Sequence, residues 1–512
     1  MKKSKLLVIF PLILLTTSCS NNGDFKSPTL PQEEKYRTYY EIFPGTYYDS
    51  DGDGYGDLNG ITEKLSYIQD LGFNGIWLTP IHESPSYHGY DVDDYLSINP
   101  NLGTMDDYRN LVKEAHNKGI NVILDLVLNH TSTSNPWFVE GAKAFKEGKG
   151  GKYSDYYNFS LTSDSVHPYI SNGVYYESGF GGGSMPDLNL DSENVKNEIK
   201  EIIRFYMEDI GIDGFRLDAV PWYFKGNDVK NIEFLSRINE VTKSYNENAY
   251  IVAEAWESAG FITRYYESGI DSFFAYDTDC LGKDISSAIA TGRGHNYTDK
   301  MSFLVEQAGD HIPAPFITNH DNPRAANILQ ARNNDKYLKF GQGLMQMMSG
   351  TTFTYYGDEI GMIGVNPPDE NVRTAMYWGE EDGTCNNPSG ATADEKIYPS
   401  VKEQLGDQNS ILNYYKKANY IRNSYESIRK GSVEKIDTGD NELQVIKKTY
   451  NEETTHLIIN FGVENKTYDL STLNLDSNGY ESLLVDINED KVSIEGNKIT
   501  IPPCGIVIMN NK

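Results

Sequence analysis

Arg216 and Asp218 stand two residues apart in the short apolar run GFRLDAV, 214–220. In a strand, positions i and i+2 point the same way, so this run aims a guanidinium and a carboxylate at one spot among side chains that leave water. Burying either charge is costly unless it is paired. The pair is therefore a structural ion pair or part of a site of chemistry. Other ionisable or polar residues fall at the ends of other apolar runs: Asn129 and His130 after NVILDLVL, Glu254 inside AYIVAEAW, and His320 and Asp321 after PFITN. Any one of them alone is as readily structural. Three carboxylates, two histidines and an arginine brought to one place would be acid–base or nucleophilic machinery.

Such a gathering needs elements whose ends share a face. From Tyr36 the chain alternates short β-like runs with longer amphipathic ones. The runs are TYYEIF, GIWLT, NVILDLVL, GFRLDAV, AYIVAEAW, DSFFAY, PFITN and TTFTYY. Helical patterns between them include TMDDYRNLVKEAHNKG and NVKNEIKEIIRFYMEDIG, the second ending on Gly211 as a C-cap. Eight strand–helix repeats predict an α/β fold, a closed (β/α)8 TIM barrel, with an open doubly wound sheet as the competing arrangement. In a barrel the C-terminal strand ends form one face, where active sites are built. The barrel (domain A) is expected over residues 36–130 and 191–430. Residues 131–190, rich in Gly, Ser, Tyr and Asn, read as a small domain B inserted after the third strand. From 431 to 512 short alternating runs predict an antiparallel β-sandwich, domain C.

Composition narrows the partners. The chain has 512 residues, of which 12% are aromatic, with 37 Tyr, and a formal charge of −29. A folded protein is expected, and nucleic acid or an anionic surface is an unfavourable partner, whereas a neutral polymer or a divalent cation is compatible. MKKSK followed by LLVIFPLILL and TTSC reads as an export signal too short to span a bilayer. Its end resembles a bacterial lipoprotein signal over 1–19 with Cys19 lipidated, Thr16 standing where that motif usually has Leu; an ordinary cleaved secretory signal is the alternative. Residues 20–35 are polar and Pro-containing and read as a flexible tether. The protein is expected to be exported, held to the membrane only by the lipid, and monomeric. Cys280, Cys385 and Cys504 are odd in number, which excludes complete intramolecular pairing.

Joint motifs carry a resemblance. DLVLNH, GFRLDAV, VAEAW and FITNHDNPR, in that order, resemble the four conserved regions of the α-amylase family, glycoside hydrolase family 13; SYHGYDVDDY, GIWLTP and TYYGDEIGM extend the match across roughly residues 36–431. The resemblance implies that Asp218 is a nucleophile forming a glycosyl–enzyme intermediate, Glu254 the acid and then base, and Asp321 a third carboxylate gripping sugar hydroxyls. Retaining chemistry requires the first two carboxyls to be ~5 Å apart and differently protonated. Arg216 would keep Asp218 ionised. His88, His130 and His320 would hydrogen-bond the sugar preceding the cut, Tyr90 would stack on it, and Asp369 and Arg373 of PPDENVRTAMYW would hold the same sugar.

DSDGDGYGD places Asp49, Asp51, Asp53 and Asp57 with glycines between them, the hard-oxygen, tight-turn pattern of a calcium loop. Four carboxylates so close repel one another without a cation. The family resemblance implies a structural Ca2+ here, with Tyr55 adding a backbone carbonyl. It also implies that a different calcium site, between the barrel and the inserted domain of many α-amylases, is lost: Trp222 stands where that site has a His, although Asn129 is retained.

Within the family, Ala219 after the nucleophile accompanies α-1,4 cleavage. MPDLN, 185–189, resembles the motif of a group intermediate between oligo-1,6-glucosidases and neopullulanases that includes bacterial α-amylases. The expected activity is endo-hydrolysis of starch, glycogen or maltodextrin. An exo-acting α-glucosidase, oligo-1,6-glucosidase or maltodextrin transglycosylase is the alternative, and a surface glycan binder without catalysis is a third possibility that the full set Asp218, Glu254 and Asp321 disfavours.

Overall fold

The computed structural model describes residues 25–276, 281–331, 334–380, 383–473, 475 and 479–511. Cys19, the leader preceding residue 25, and Cys280 lie outside the described residues. Seven strands form one parallel sheet: β1 (Thr38–Ile42), β2 (Gly75–Leu78), β3 (Asn121–Leu126), β4 (Gly214–Leu217), β5 (Tyr250–Ala253), β6 (Ser272–Phe273) and β7 (Thr352–Tyr355). Their order is β6-β5-β4-β3-β2-β1-β7. The gap between β6 and β7 is closed by parallel bridges from Phe274 to Ala314 and from Phe316 to Phe353, which makes the sheet a barrel.

That closing segment is the expected strand PFITN, and it differs from expectation for a physical reason. Pro313 and Pro315 lack an N–H, so they accept from Thr351 and Phe353, at 2.8 and 3.2 Å, but donate nothing back. The barrel closes there with half a ladder. β4 likewise stops at Leu217 rather than running to Val220, because Ala219 takes the left-handed region at φ 45.

Register decides what faces inward. Tyr39 and Glu41 on β1 share a direction, as do Ile123 and Asp125 on β3, and Arg216 and Asp218 at the end of β4. Asp125 and Arg216 are Cα partners across β3 and β4. Aromatic rings fill the barrel beneath these charges: Tyr39 packs on Phe353 and Tyr250, and Phe274 on Trp77 and Phe353, at centroid distances of 4.8–5.7 Å. Gly214 is required at the start of β4, where a Cβ would lie 1.8 Å from the Tyr250 carbonyl oxygen.

The helices follow their sequence signals. Met105–Asn117 is opened by Thr104 and Asp107 in a reciprocal capping box. Glu193–Arg204 continues through a π-turn to Gly211, which ends it at φ 82. The insertion holds a helix, Pro136–Lys146, and a small antiparallel sheet of Phe159–Ser160, Val174–Tyr176 and Tyr169–Ser171. It returns to the barrel through the Leu188 amide, which donates to the Asn129 carbonyl at 2.8 Å.

The C-terminal domain is a β-sandwich. A five-stranded antiparallel sheet (Ser432–Ile436, Leu443–Tyr450, Glu453–Asn460, Ile506–Asn511, Tyr480–Leu483) faces a three-stranded one (Lys466–Asp469, Lys498–Ile501, Ser493–Glu495). Leu443, Val445, Ile458, Ile499, Ile501 and Val507 fill the space between them. The other face, with Ile446, Leu457 and Ile508, packs on barrel residues such as Leu344 and Tyr415.

One expectation is corrected. Residues 25–35 are not a flexible tether but lie against the barrel. Gln32 Nε2 donates to Asp213, Lys35 pairs with Asp271 at 2.8 Å, and Arg37 donates to carbonyls of Glu34, Asn74 and Gly119. Leu30 is also buried and Phe25 packs on the Tyr420 ring at 5.4 Å, but two isolated apolar residues give no periodicity and the rest of the attachment is polar.

Candidate active site

The charges carried by distant segments meet at the C-terminal mouth of the barrel. Arg216 is fully buried and forks between three carboxylates: Nη1 lies 2.7 Å from Asp218 Oδ1 and 2.8 Å from Asp125 Oδ1, and Nη2 lies 2.9 Å from Glu254 Oε2. The pair that opens the sequence argument is thus one side of a four-group cluster. The planar fork matters, because one guanidinium presents donors in two directions at fixed separation. The turn after β4 adds to it: left-handed Ala219 aims its own N–H at Glu254 Oε2, 3.0 Å away.

A second branch leads to Asp321. Tyr90 Oη donates to Asp125 Oδ2 at 2.8 Å and lies 2.7 Å from His320 Nε2. That nitrogen is 3.0 Å from Asp321 Oδ2, and Arg373 Nη2 holds Asp321 Oδ1 at 2.8 Å. Arg373 Nη1 then reaches Asp369 at 2.6 Å and the Tyr87 hydroxyl at 3.0 Å. Asp218, Glu254 and Asp321, far apart in sequence, belong to one continuous polar network.

The three carboxylates are not equivalent. Burial raises the Glu254 carboxyl most, Arg216 opposes it, and the negative Asp218 and Asp321 add to the rise, which reaches about 7. Burial would also raise Asp321, but His320 and Arg373 outweigh it and hold this carboxyl well below the ordinary range. Asp125 is pushed up to about 6, chiefly by burial. One carboxyl able to hold a proton near neutrality therefore sits beside one held ionised.

The remaining residues expected here are placed as follows. His88 sits in the turn before Tyr90, its Nδ1 bonded to the Tyr90 amide at 3.1 Å. His130 is buried with Nε2 on the Tyr90 carbonyl at 3.2 Å and Nδ1 3.3 Å from Asn129 Nδ2, so a sugar hydroxyl would compete with Tyr90 for its proton. Burial lowers both histidines, which favours their neutral forms. Tyr90 is half-buried, its ring parallel to that of His320 at 5.4 Å. At the junction with the insertion, Asn129 donates to Asp187 and Trp222 packs on Phe180.

In the acidic loop, Asp49, Asp51 and Asp57 offer carboxylate oxygens within 4.8 Å of one another. Asp53 is not part of that cluster, and its Oδ1 accepts from the Tyr55 amide at 2.7 Å. Asp49 is held below its ordinary range: burial opposes ionisation, but the Gly54, Gly52 and Asp51 amides outweigh it. Three converging hard oxygens on a tight turn fit Ca2+ better than a softer metal. Cys385 and Cys504 are both buried and free.

Four residues of this region went unassigned in the sequence. Asp125 and Glu41 give the same signal as Asp218, a carboxylate inside an apolar run. Tyr87 adjoins His88. Trp256, 47% exposed, lies two residues past Glu254 with one face stacked on Tyr276 at 4.9 Å.

Comparison with known proteins agrees with this geometry. The family profile described as "Alpha amylase, catalytic domain" matches residues 41–431. "Alpha-amylase 3" of Dictyoglomus thermophilum is 34% identical, the match covering 99% of this chain and 98% of that protein. The oligo-1,6-glucosidase of Parageobacillus thermoglucosidasius is 27% identical over 85% of this chain and 92% of its own. Among solved structures, Eubacterium rectale Amy13B superposes with a TM-score of 0.86 at 35% identity, covering 96% of this chain and 98% of that one. The α-amylase from H.orenii gives 0.79 at 31% identity, with 94% and 100% covered.

Proposed function

This chain belongs to the α-amylase catalytic-domain family, a glycosidase acting on α-glucans, and from that premise we propose that it hydrolyses internal α-1,4 bonds of starch, glycogen or maltodextrin with retention. The carrying observation is the Arg216 fork that ties Asp218 and Glu254 together, with Glu254 raised to about 7. Arg216 occupies Asp218 Oδ1, so Oδ2 is the attacking atom. Glu254 Oε2 lies 2.9 Å from Arg216 Nη2 and accepts from the Ala219 N–H, so the transferable proton sits on Oε1.

In the first step Asp218 Oδ2 bonds to the anomeric carbon as the glycosidic C–O bond breaks, and Glu254 gives its proton to the departing oxygen. In the second, Glu254 takes a proton from water, the hydroxide oxygen bonds to the same carbon, and Asp218 leaves as carboxylate. Asp321 grips hydroxyls of the reacting sugar, and His88, His130, His320, Tyr90, Asp369 and Arg373 surround it. Trp256, two residues past the acid, is 47% exposed and has one face on Tyr276, which leaves a face on which a further glucose could stack.

Asp49, Asp51 and Asp57 would hold a structural Ca2+ that fixes the loop entering the first barrel helix, with the Tyr55 carbonyl as a further ligand. The Cys19 lipid would tether a monomeric enzyme to the outside of the bacterial membrane; among the described residues no helix is long and apolar enough to cross one.

Incubation with maltoheptaose, isomaltose and pullulan, with the products resolved, tests the reading. Maltoheptaose cut internally with little attack on isomaltose is expected. Glucose released singly from chain ends would favour the exo-acting alternative. A Glu254→Gln variant with full activity would reject the mechanism.

A further inference from the structure

Glu41 lies on β1 and is 1% exposed, yet nothing in the double displacement just described uses it. Its Oε1 accepts from both the ring and the backbone of His320: Nδ1 is 2.6 Å away and the amide nitrogen 3.3 Å. Its Oε2 is buried with no hydrogen-bond partner among the described residues. All the directed bonding of this carboxylate therefore goes to one histidine. Across the ring, Nε2 faces Asp321 Oδ2 at 3.0 Å and the Tyr90 hydroxyl at 2.7 Å.

A ring with a carboxylate oxygen at each nitrogen needs a proton on both to bond to both. We propose that Glu41 is a positioning residue of the glycosidase site: it clamps His320 by ring and main chain and holds it as an imidazolium, so that Nε2–H orients Asp321 toward the sugar. The inference rests on the reading of Asp218, Glu254 and Asp321 as hydrolytic machinery.

The groups facing His320 from the packed elements bear this out. Burial disfavours the charged ring, and the cations Arg216 and Arg373 oppose it; Arg373 Nε donates to the His320 carbonyl at 3.1 Å. Against them stand the two carboxylates in direct contact, with Asp125 reached through Tyr90, and the Trp77 ring edge-on at 5.7 Å. Direct contacts outweigh the more distant cations, and His320 is raised to about 10. The imidazolium in turn helps to keep Asp321 ionised. A neutral ring fixed in the same pose would lack a proton for one of its two carboxylates.

Glu41→Gln keeps the size and an acceptor for both N–H groups but removes the charge. A residue that only packs would leave the pH profile unmoved. On the proposal, kcat/KM for maltoheptaose falls about ten- to a hundredfold, and the alkaline limb, which Glu254 sets near 7 in the parent, moves to the lower pH at which His320 without Glu41 loses its proton, while the melting temperature stays within a few degrees. A profile superimposed on the parent overturns it. Nitrogen-15 NMR of the unmutated enzyme, with His320 assigned through His320→Gln, needs no folded Glu41 variant. Both ring nitrogens protonated at neutral pH are expected, and a neutral imidazole overturns the proposal. Full activity of Glu254→Gln would instead remove the hydrolytic reading and leave the NMR result standing.

Discussion

Arg216→Lys is the substitution that most directly tests how the site is held. The guanidinium reaches Asp218 and Asp125 through Nη1 and Glu254 through Nη2, at 2.7–2.9 Å. An ammonium keeps the charge but is a single point, so it cannot bridge both sides of the fork. If it settles on Asp125, the bonds to Asp218 and Glu254 are lost, and a charge-assisted hydrogen bond contributes about 1.5–3 kcal/mol. Two such bonds amount to about 3–6 kcal/mol. With half of that expressed in the barrier, the rate falls roughly ten- to a hundredfold. Arg216→Leu is harsher: it leaves buried carboxylates uncompensated, costing the fold about 3–5 kcal/mol. The assay is kcat/KM on maltoheptaose across the pH range, with thermal denaturation alongside. Arg216→Lys within threefold of the parent would refute the argument that the fork sets the geometry.

Three further outcomes follow from the same geometry. Glu254 is raised to about 7 and must carry a proton to act as an acid, so kcat/KM falls as pH rises through about 7; an alkaline midpoint about two units away would contradict this. Calcium at a hundredfold excess over its Kd should stabilise the fold by about 2.7 kcal/mol; calorimetry with and without chelator reads it, Asp49→Asn abolishes the difference, and Asp53→Asn, whose carboxylate faces its own backbone, changes it little. Ala219 sits at φ 45, so Ala219→Val, with a branched Cβ in a left-handed turn, destabilises by about 1–2 kcal/mol while Ala219→Gly gains a fraction of that; equal melting temperatures for the three would count against strain at this turn.

Much of the architecture was legible because it is written in local periodicity. The β1 to β6 runs and β7 alternate with amphipathic helices, Gly211 ends its helix where it should, and the charged residues at i and i+2 of GFRLDAV declare their common direction. The seventh strand position was misjudged because its prolines still allow the chain to pass through the ring but not to pair fully. Residues 25–35 were misjudged because hydropathy carries no record of side chains such as Gln32 and Lys35 that attach by polar bonds. Asp125 and Glu41 had the same mark as Asp218, yet a buried carboxylate says nothing by itself about which cation or histidine awaits it.

The sequence by itself determined which residue types stand at the strand ends and which way each points relative to its own backbone, since a two-residue repeat fixes that wherever a strand forms. Only the tertiary structure decided who meets whom. Glu41 and His320 are 279 residues apart, and their contact exists because the barrel closes in one register; the proton on Glu254 and the charge on His320 follow from that closure, since burial and neighbouring charges act through space rather than along the chain.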